Sequence, residues 1–315
     1  MKAQQSESLQ LDGHEVKITR PEKVLFPEDG ITKGDLVRYY QRAGARMLPY
    51  LKDRPLALER YPDGINAGSF FQKSAAKYYP GWISRATVKK VGGTISHVVC
   101  NNVATLVYLA NQACISLHTW LSRTARLEYP DQMIFDLDPS RAEIGPVIDA
   151  AYALKELLDE IALPAFVKTT GSRGLHVTVP LKSKDDFDSV RAFARQVSEL
   201  VVSQAPARWT LEQRKDKRQG RVFIDINRDA YAQLAVAPYS VRARNGAPVA
   251  APLDWSELRV KGFSPDSITL RNVFERLENL EDPWKDFWHK AVSLEKAQRK
   301  LEAIPAVKSV SRETS

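Results

Sequence analysis

The chain has 315 residues, 43% hydrophobic and 27% charged, which is ample for the core of one large domain or two ordinary ones. Its 46 Lys and Arg against 38 Asp and Glu leave a net charge of +8, favouring a polyanionic partner such as nucleic acid. Cys100 and Cys114 lie in apolar surroundings without CxxC spacing, which excludes a structural zinc site and points to free thiols in a reducing cytosol, and no segment approaches the ~20 apolar residues of a membrane span.

Residues 9–19 alternate around Asp12-Gly13 and read as a hairpin; Thr32-x-x-Asp35 then opens a helix to about Tyr50. A strand is expected near Leu56–Arg60, then a loop carrying Gly68-Ser69-Phe70-Phe71-Gln72-Lys73. A hairpin follows, from Thr87–Val91 through Gly92-Gly93 to Thr94–Cys100. A short helix near 102–112 precedes a strand Ile115–Trp120, and Met133–Asp138 forms an apolar strand that Pro139 ends. Helical spacing of Val147, Ile148, Ala151, Leu154, Leu158 and Ile161 predicts a helix that Pro164 stops; Phe187, Val190, Phe193, Val197, Leu200 and Val201 predict another. Between them lie strands Ala165–Lys168 and Leu175–Pro180, and a fourth strand is Val222–Ile226. Strand, helix, strand, strand, helix, strand is the split ferredoxin-like or RRM-like order of an α+β fold. From about 265 the pattern is helical, and the stretch 301–315 lacks periodicity, as a linker or disordered tail would.

The most informative stretch is Met133-Ile134-Phe135-Asp136-Leu137-Asp138-Pro139. Side chains two apart on a strand share a face, so Asp136 and Asp138 project together and repel unless divalent cations sit between them; hard oxygen ligands suit Mg²⁺ or Mn²⁺. Asp225, on a later strand that can lie alongside, makes a triad able to hold two ions for in-line phosphoryl transfer. Isolated DxD pairs are also ordinary surface features. The turn Gly171-Ser172-Arg173-Gly174-Leu175-His176 offers backbone and side-chain donors to a triphosphate, although it lacks the Gly-Lys-Ser/Thr ending of a P-loop; an ordinary glycine-containing hairpin turn would read the same way. Arg242 and Arg244 are two apart and on a strand would face one polyanion, or solvent. Phe70 and Phe71, adjacent aromatics in a polar loop, read as a stacking platform for bases, with burial of one ring as the alternative. Arg20, Lys23 and Lys33 surround the start of the first long helix, where a phosphate can bind.

Assembled, these residues resemble the polymerase domain of bacterial ATP-dependent DNA ligase D, a branch of the archaeo-eukaryotic primase superfamily. The resemblance spans about residues 10–295. It rests on Arg20-Pro21-x-Lys23-Val24-Leu25-Phe26-Pro27 with Thr32-Lys33, on Gly68-x-Phe70-Phe71, on the Asp136/Asp138 strand, on Gly171–His176, and on Asp225 with Ala237-Pro238-Tyr239-Ser240, Arg242 and Arg244. It implies a primase-like fold, with an RRM-like antiparallel catalytic sheet, flanking helices and a small N-terminal α/β lobe. One primase-polymerase domain would cover 1–300, its N-terminal lobe about 1–110 and its catalytic lobe about 111–300.

The implied activity is template-directed nucleotidyl transfer that fills or extends DNA ends in non-homologous end joining, with two Mn²⁺ or Mg²⁺ ions and a preference for NTP over dNTP. Asp136, Asp138 and Asp225 match the metal-binding catalytic carboxylates. Ser172, Arg173 and His176 match the triphosphate loop, with Arg242 and Arg244 nearby, and His118 the residue that meets the sugar. Phe70 and Phe71 match the template-stacking pair, and Lys23 and Lys33 the pocket for a 5′-phosphate. Implied partners are DNA ends, Ku and a DNA ligase, in a bacterial cytoplasm at the nucleoid. Arg20 stands where relatives can carry Asn, and Gln233 where some place a lysine near the nucleotide. Glu59-Arg60-Tyr61-Pro62-Asp63-Gly64 has Tyr61 where a ligase needs its nucleophilic lysine, so this chain is not the ligase. Two other readings remain: a DNA-end-binding module without catalysis, and a haloacid-dehalogenase-type phosphatase, whose DxD strand Pro139-Ser140 continues poorly.

Overall fold

The computed structural model describes residues 6–141 and 143–304. The chain begins as an antiparallel hairpin of β1 (Ser6–Leu11) and β2 (His14–Thr19). In its turn Asp12 and Gly13 have φ of 49° and 76°, the paired positive angles of a tight two-residue connection. A short ladder of β3 (Val24–Phe26) and β4 (Ile31–Thr32) leads into α1 (Lys33–Leu51). The Thr32 hydroxyl accepts from the Asp35 amide while the Asp35 carboxylate accepts from the Thr32 amide, a capping box worth about 1 kcal/mol. Leu36, Val37, Tyr40, Ala43, Met47 and Leu51 recur three or four apart and are all buried, so α1 lays one face on the core.

Next come β5 (Pro55–Arg60), β6 (Phe70–Gln72), β7 (Arg85–Lys90), β8 (Gly93–Val99), α2 (Val103–Asn111) and β9 (Cys114–Trp120). They build a sheet in the order β15-β9-β5-β8-β7, where β15 is Leu234–Val236 and β6 also pairs with β5. Two expectations change here. The Gly68–Lys73 segment is not all loop, because Phe70–Gln72 pairs with Leu58–Arg60 and is held as an edge strand. A lobe boundary near residue 110 does not follow the sheets either: β9 and β15 both belong to this first sheet, with Val236 opposite His118. Pairing between strands so far apart in the chain leaves no local mark in the sequence, and the largest buried cluster runs from Val16 to Leu301.

The second sheet carries the expected β-α-β-β-α-β order. Its strands are β10 (Gln132–Asp138), β11 (Phe166–Thr169), β12 (Leu175–Pro180) and β14 (Val222–Asp225), and its helices α3 (Gly145–Glu160) and α4 (Phe187–Gln204). The spatial order is β13-β14-β10-β12-β11-β16, with β13 (Trp209–Thr210) and β16 (Pro252–Leu253) at the edges and every ladder among the central four antiparallel. Helices α3 and α4 pack on each other and on β10, with α3 also on β12. Met133, Phe135, Leu137, Val177 and Ile224 enter the core cluster. Because strand side chains alternate, Asp136, Asp138, His176 and Asp225 emerge on the other face.

After β16 the chain is less helical than its spacing suggests. Among the described residues, only α5 (Val273–Asn279) and α6 (Glu295–Glu302) are α-helices there. Between them Asp282-Pro283 interrupts, and the segment is fixed by aromatic packing instead: Trp284 stacks on Phe287 at 4.7 Å and donates its indole N–H to the Val167 carbonyl at 3.0 Å. Of the expected tail, Leu301 and Glu302 finish α6, and residues 305–315 lie outside the described residues.

Candidate active site

Register places the acidic residues. Asp136 on β10 stands directly opposite Asp225 on β14 and, on its other side, opposite His176 on β12, so all three side chains share the helix-free face. Asp138 follows two residues later at the strand exit. One carboxylate oxygen from each of Asp136, Asp138 and Asp225 lies within 4.8 Å of the others. Asp136 is 4% exposed; its Oδ2 accepts from Arg228 Nε at 3.2 Å, while Oδ1 stands 3.4 Å from His176 Nε2. Asp225 is oriented by its own turn, accepting at Oδ1 from the Asn227 amide at 2.8 Å and from Asn227 Nδ2 at 2.6 Å.

The charges are tightly coupled. Burial, then repulsion from Asp136 and Asp225, pushes the Asp138 carboxyl up to about 6. Burial also opposes the charge of Asp136, but His176 and Arg228 outweigh it and hold this carboxyl well below the usual range. His176 is itself brought down to about 4 by burial and by Lys168, so it is neutral at pH 7 and Arg228 is the cation that counts there. Three convergent oxygen donors that repel one another, one of them raised by that repulsion, fit a divalent cation.

A turn closes over the carboxylates. The Thr170 amide and hydroxyl both donate to the Gly174 carbonyl at 3.1 Å, pinching the segment shut. Gly174 packs against the strand below it: a Cβ there would lie 2.4 Å from the Leu137 carbonyl oxygen, between the two aspartates in sequence. Gly171 has φ +62°, and a Cβ there would meet Arg242 Cγ at 2.6 Å. The result is a cavity of about 200 Å³ with Asp136 and Asp138 on one side, Ser172, Arg173 and His176 on another, and His118, Arg228 and Arg242 completing the wall.

The other expected residues fall into two groups beside this cavity. His118 on β9 has Nε2 3.6 Å from Glu59 on β5, and Tyr61 donates to Glu59 at 2.6 Å. Burial works against the Glu59 charge, yet His118 and Tyr61 bring its pKa down to about 2. Burial lowers the pKa of His118 as well. The Phe71 ring is 5.4 Å from that imidazole; Phe70 lies under the Arg60 guanidinium at 5.3 Å, and the two rings are 46% (Phe70) and 55% (Phe71) exposed. Neither is taken into the core.

At the start of α1, the Lys33 amide donates to the Lys23 carbonyl and the Gly34 amide to the Pro21 carbonyl, docking the 20–23 turn on the helix N-terminus. Lys23 pairs with Asp63 at 2.7 Å, and Lys33 is 4% exposed. Burial, then repulsion from Arg20 and Lys23, lowers Lys33 to about 8. Arg242 and Arg244 do not share a strand face: they lie in a turn, with the Arg244 amide donating to the Arg242 carbonyl at 2.9 Å, and Arg244 is exposed outside the cavity lining. Gln233 is likewise exposed outside it, whereas its neighbour Leu234 lines the wall. Sequence reasoning missed Arg228 and Glu59. The first is three residues past Asp225 with no pattern to mark it, and the second owes its place to the pairing of Ala57 with His118 and Glu59 with Ser116 on β9.

The family model for the LigD primase-polymerase domain matches residues 32–284. The chain is 31% identical over 312 residues to the multifunctional non-homologous end joining DNA repair protein LigD of Mycobacterium tuberculosis, covering 94% of this chain and 41% of the relative. Identity to LigD of Pseudomonas aeruginosa is 34% over 276 residues, 86% of this chain and 33% of the relative. The chain thus spans less than half the length of these curated relatives. A solved structure, the polymerase domain of M. tuberculosis ligase D in complex with DNA, superposes with a TM-score of 0.82 at 29% identity, covering 88% of this chain and 99% of that one. On these matches, and on the prim-pol fold with its acidic cluster, the chain belongs to the LigD primase-polymerase domain family.

Proposed function

We propose that this chain is a template-directed nucleotidyltransferase that fills or extends DNA ends in bacterial non-homologous end joining. The carrying observation is that Asp136, Asp138 and Asp225 converge beside the Gly171–His176 turn, with both aspartates of β10 and the turn lining one cavity. In the reaction a primer 3′-oxygen attacks the α-phosphorus of a nucleoside triphosphate, one P–O bond forms, and the bond to pyrophosphate breaks. Two divalent ions held by the three aspartates, Mn²⁺ or Mg²⁺, would acidify the attacking hydroxyl and neutralise the departing pyrophosphate. The protein's own part is positioning. Ser172, Arg173 and His176, with Arg242 across the cavity, supply donors for the triphosphate, and Arg244 flanks it from outside. His118, braced by Glu59, stands where a sugar would enter and supports a preference for NTP over dNTP.

Phe70 and Phe71 offer a stacking surface for a template base beside a break. The Arg20, Lys23 and Lys33 cluster at the α1 N-terminus suits the 5′-phosphate of a downstream strand. Ku and a DNA ligase are the proposed partners, and the bacterial nucleoid the proposed location; no helix among the described residues is long and apolar enough to cross a membrane. The test is gapped DNA with a 5′-phosphate, NTPs and Mn²⁺. Extension by the wild type and none by Asp136→Ala is expected; full activity in that variant, or none in the wild type, refutes the proposal.

A further inference from the structure

One member of the polar row is not used by the mechanism above. Lys168 on β11 stands directly opposite His176, which stands opposite Asp136, so the row across the sheet reads Asp225, Asp136, His176, Lys168 on one face. The lysine is 2% exposed. A buried ammonium normally sits in an ion pair, because leaving water is costly. Lys168 makes none among the described residues; its polar contact is a 3.5 Å approach of Nζ to the Thr169 carbonyl, at the limit of a hydrogen bond. Burial, then repulsion from Arg242 and Arg228 against attraction to Asp136, brings it down to about 7. Packing alone does not call for a basic group at a position this buried, and burial leaves its ammonium in need of an anion to hold it charged.

The surroundings indicate what that charge serves. One end of the row, Asp225 and Asp136 with Asp138 beyond, is acidic and suits cations. The other end is cationic: Lys168, with Arg242 and Arg173 on the loops above. Thr169 and Thr170 lead straight from Lys168 into the closed Gly171–Gly174 turn, so the ammonium lies at the root of the segment that offers donors to phosphate. Lys168 does not line the cavity, so it acts through its field rather than by contact. In a desolvated interior a unit charge is felt across several ångströms with little screening.

We propose that Lys168 is a positioning residue of the nucleotide site: a buried basic group beneath the Gly171–Gly174 turn that a bound triphosphate holds as the ammonium and that draws the triphosphate to the basic end of the row. The inference rests on the nucleotidyl-transfer reading and extends it to a side chain that touches neither substrate nor metal. The experiment measures equilibrium binding of ATP, ADP and AMP at saturating Mn²⁺ without DNA, binding of Mn²⁺ alone, and thermal melting, for wild type, Lys168→Met and Lys168→Arg. In Lys168→Met, ATP binding should weaken about tenfold, ADP less and AMP least, following ligand charge. Mn²⁺ alone should bind as tightly or tighter, and the melting temperature should hold or rise. Lys168→Arg, which keeps the charge, should keep the ATP-over-AMP gradient. Unchanged ATP binding in Lys168→Met overturns the proposal. So does equal loss for all three nucleotides with a lower melting temperature, or failure to fold, since each marks a purely structural lysine. If the wild type binds no ATP, the nucleotidyl-transfer reading itself fails, a result distinct from any of these.

Discussion

Substituting Gly174 by alanine tests whether the turn must lie flat on the aspartate strand. The added Cβ would stand 2.4 Å from the Leu137 carbonyl oxygen, where ordinary contact begins at 3.4 Å, so turn and strand must part by about 1 Å. The obstacle is backbone, and no rotamer change relieves it. The Thr170–Gly174 bonds and the Asp136–His176 pairing hold the turn from both sides, so the strain spreads into Ser172, Arg173 and His176. Overpacking of this kind costs about 1–3 kcal/mol of stability. A displacement near 1 Å of groups that position a reacting phosphate costs on the order of 10²-fold in rate. Steady-state incorporation on gapped DNA should show the loss mainly in kcat/KM for the NTP, with DNA affinity little changed. Gly81→Ala is the control, since its Cβ would meet nothing within 4 Å. If Gly174→Ala retains wild-type kcat/KM, or Gly81→Ala loses as much, the close approach does not set the geometry of the site.

Asp138 predicts a pH dependence for metal binding. Its folded-state pKa, about 6, lies above the ordinary 3.8, so ionising it opposes folding as pH climbs between those values, and a bound cation removes that penalty. The rise in melting temperature on adding Mn²⁺ should therefore be small at pH 5 and large at pH 7.5; equal shifts would contradict the coupling. Phe71→Ala should weaken binding of gapped DNA by about 1–3 kcal/mol while leaving NTP binding and folding intact, because the ring is 55% exposed; a matching fall in melting temperature would mark it as structural. Lys33, lowered to about 8, is charged below that pH and neutral above it, so preference for a 5′-phosphorylated strand should decline from pH 7 to 9, and a fluorescence-anisotropy titration that stays flat would count against the pocket. Glu59→Gln should loosen His118 and reduce the ratio of NTP to dNTP incorporation several-fold, with template affinity unchanged as the internal check.

Local pattern carried much of the fold. The capping box at Thr32 and Asp35, the Asp12-Gly13 turn and the β-α-β-β-α-β order between residues 132 and 225 are written in short-range periodicity and turn chemistry, and each appears where those rules place it. What was not legible depends on pairing across long separations. β15 joining β9 moves Leu234 and Val236 to the wall of the cavity, and β6 pairing with β5 turns an expected loop into an edge strand. The segment after 265 misleads because helical spacing and the spacing of aromatic anchors such as Trp284 and Phe287 look alike until a partner surface exists.

The aspartates were visible because two carboxylates in an apolar strand are conspicuous; Lys168 and Arg228 were not, although they lie on or beside the same sheet. Asp136 is nearly buried and ionised, and His176 beside it is neutral at pH 7, so the acidic cluster has no compensation from its own strand neighbours. Arg228 supplies it from the turn after β14 at 3.2 Å. With Lys168 two strands away, basic groups flank Asp136 on both sides, Arg228 already charged and Lys168 ready to take a proton when an anion arrives. That arrangement tolerates the acidic cluster without screening it completely, because Asp138 still feels Asp136 and Asp225 strongly enough to be raised. A set of carboxylates balanced only in part attracts divalent cations, and the flanking positive charges remain to meet the phosphates those cations accompany.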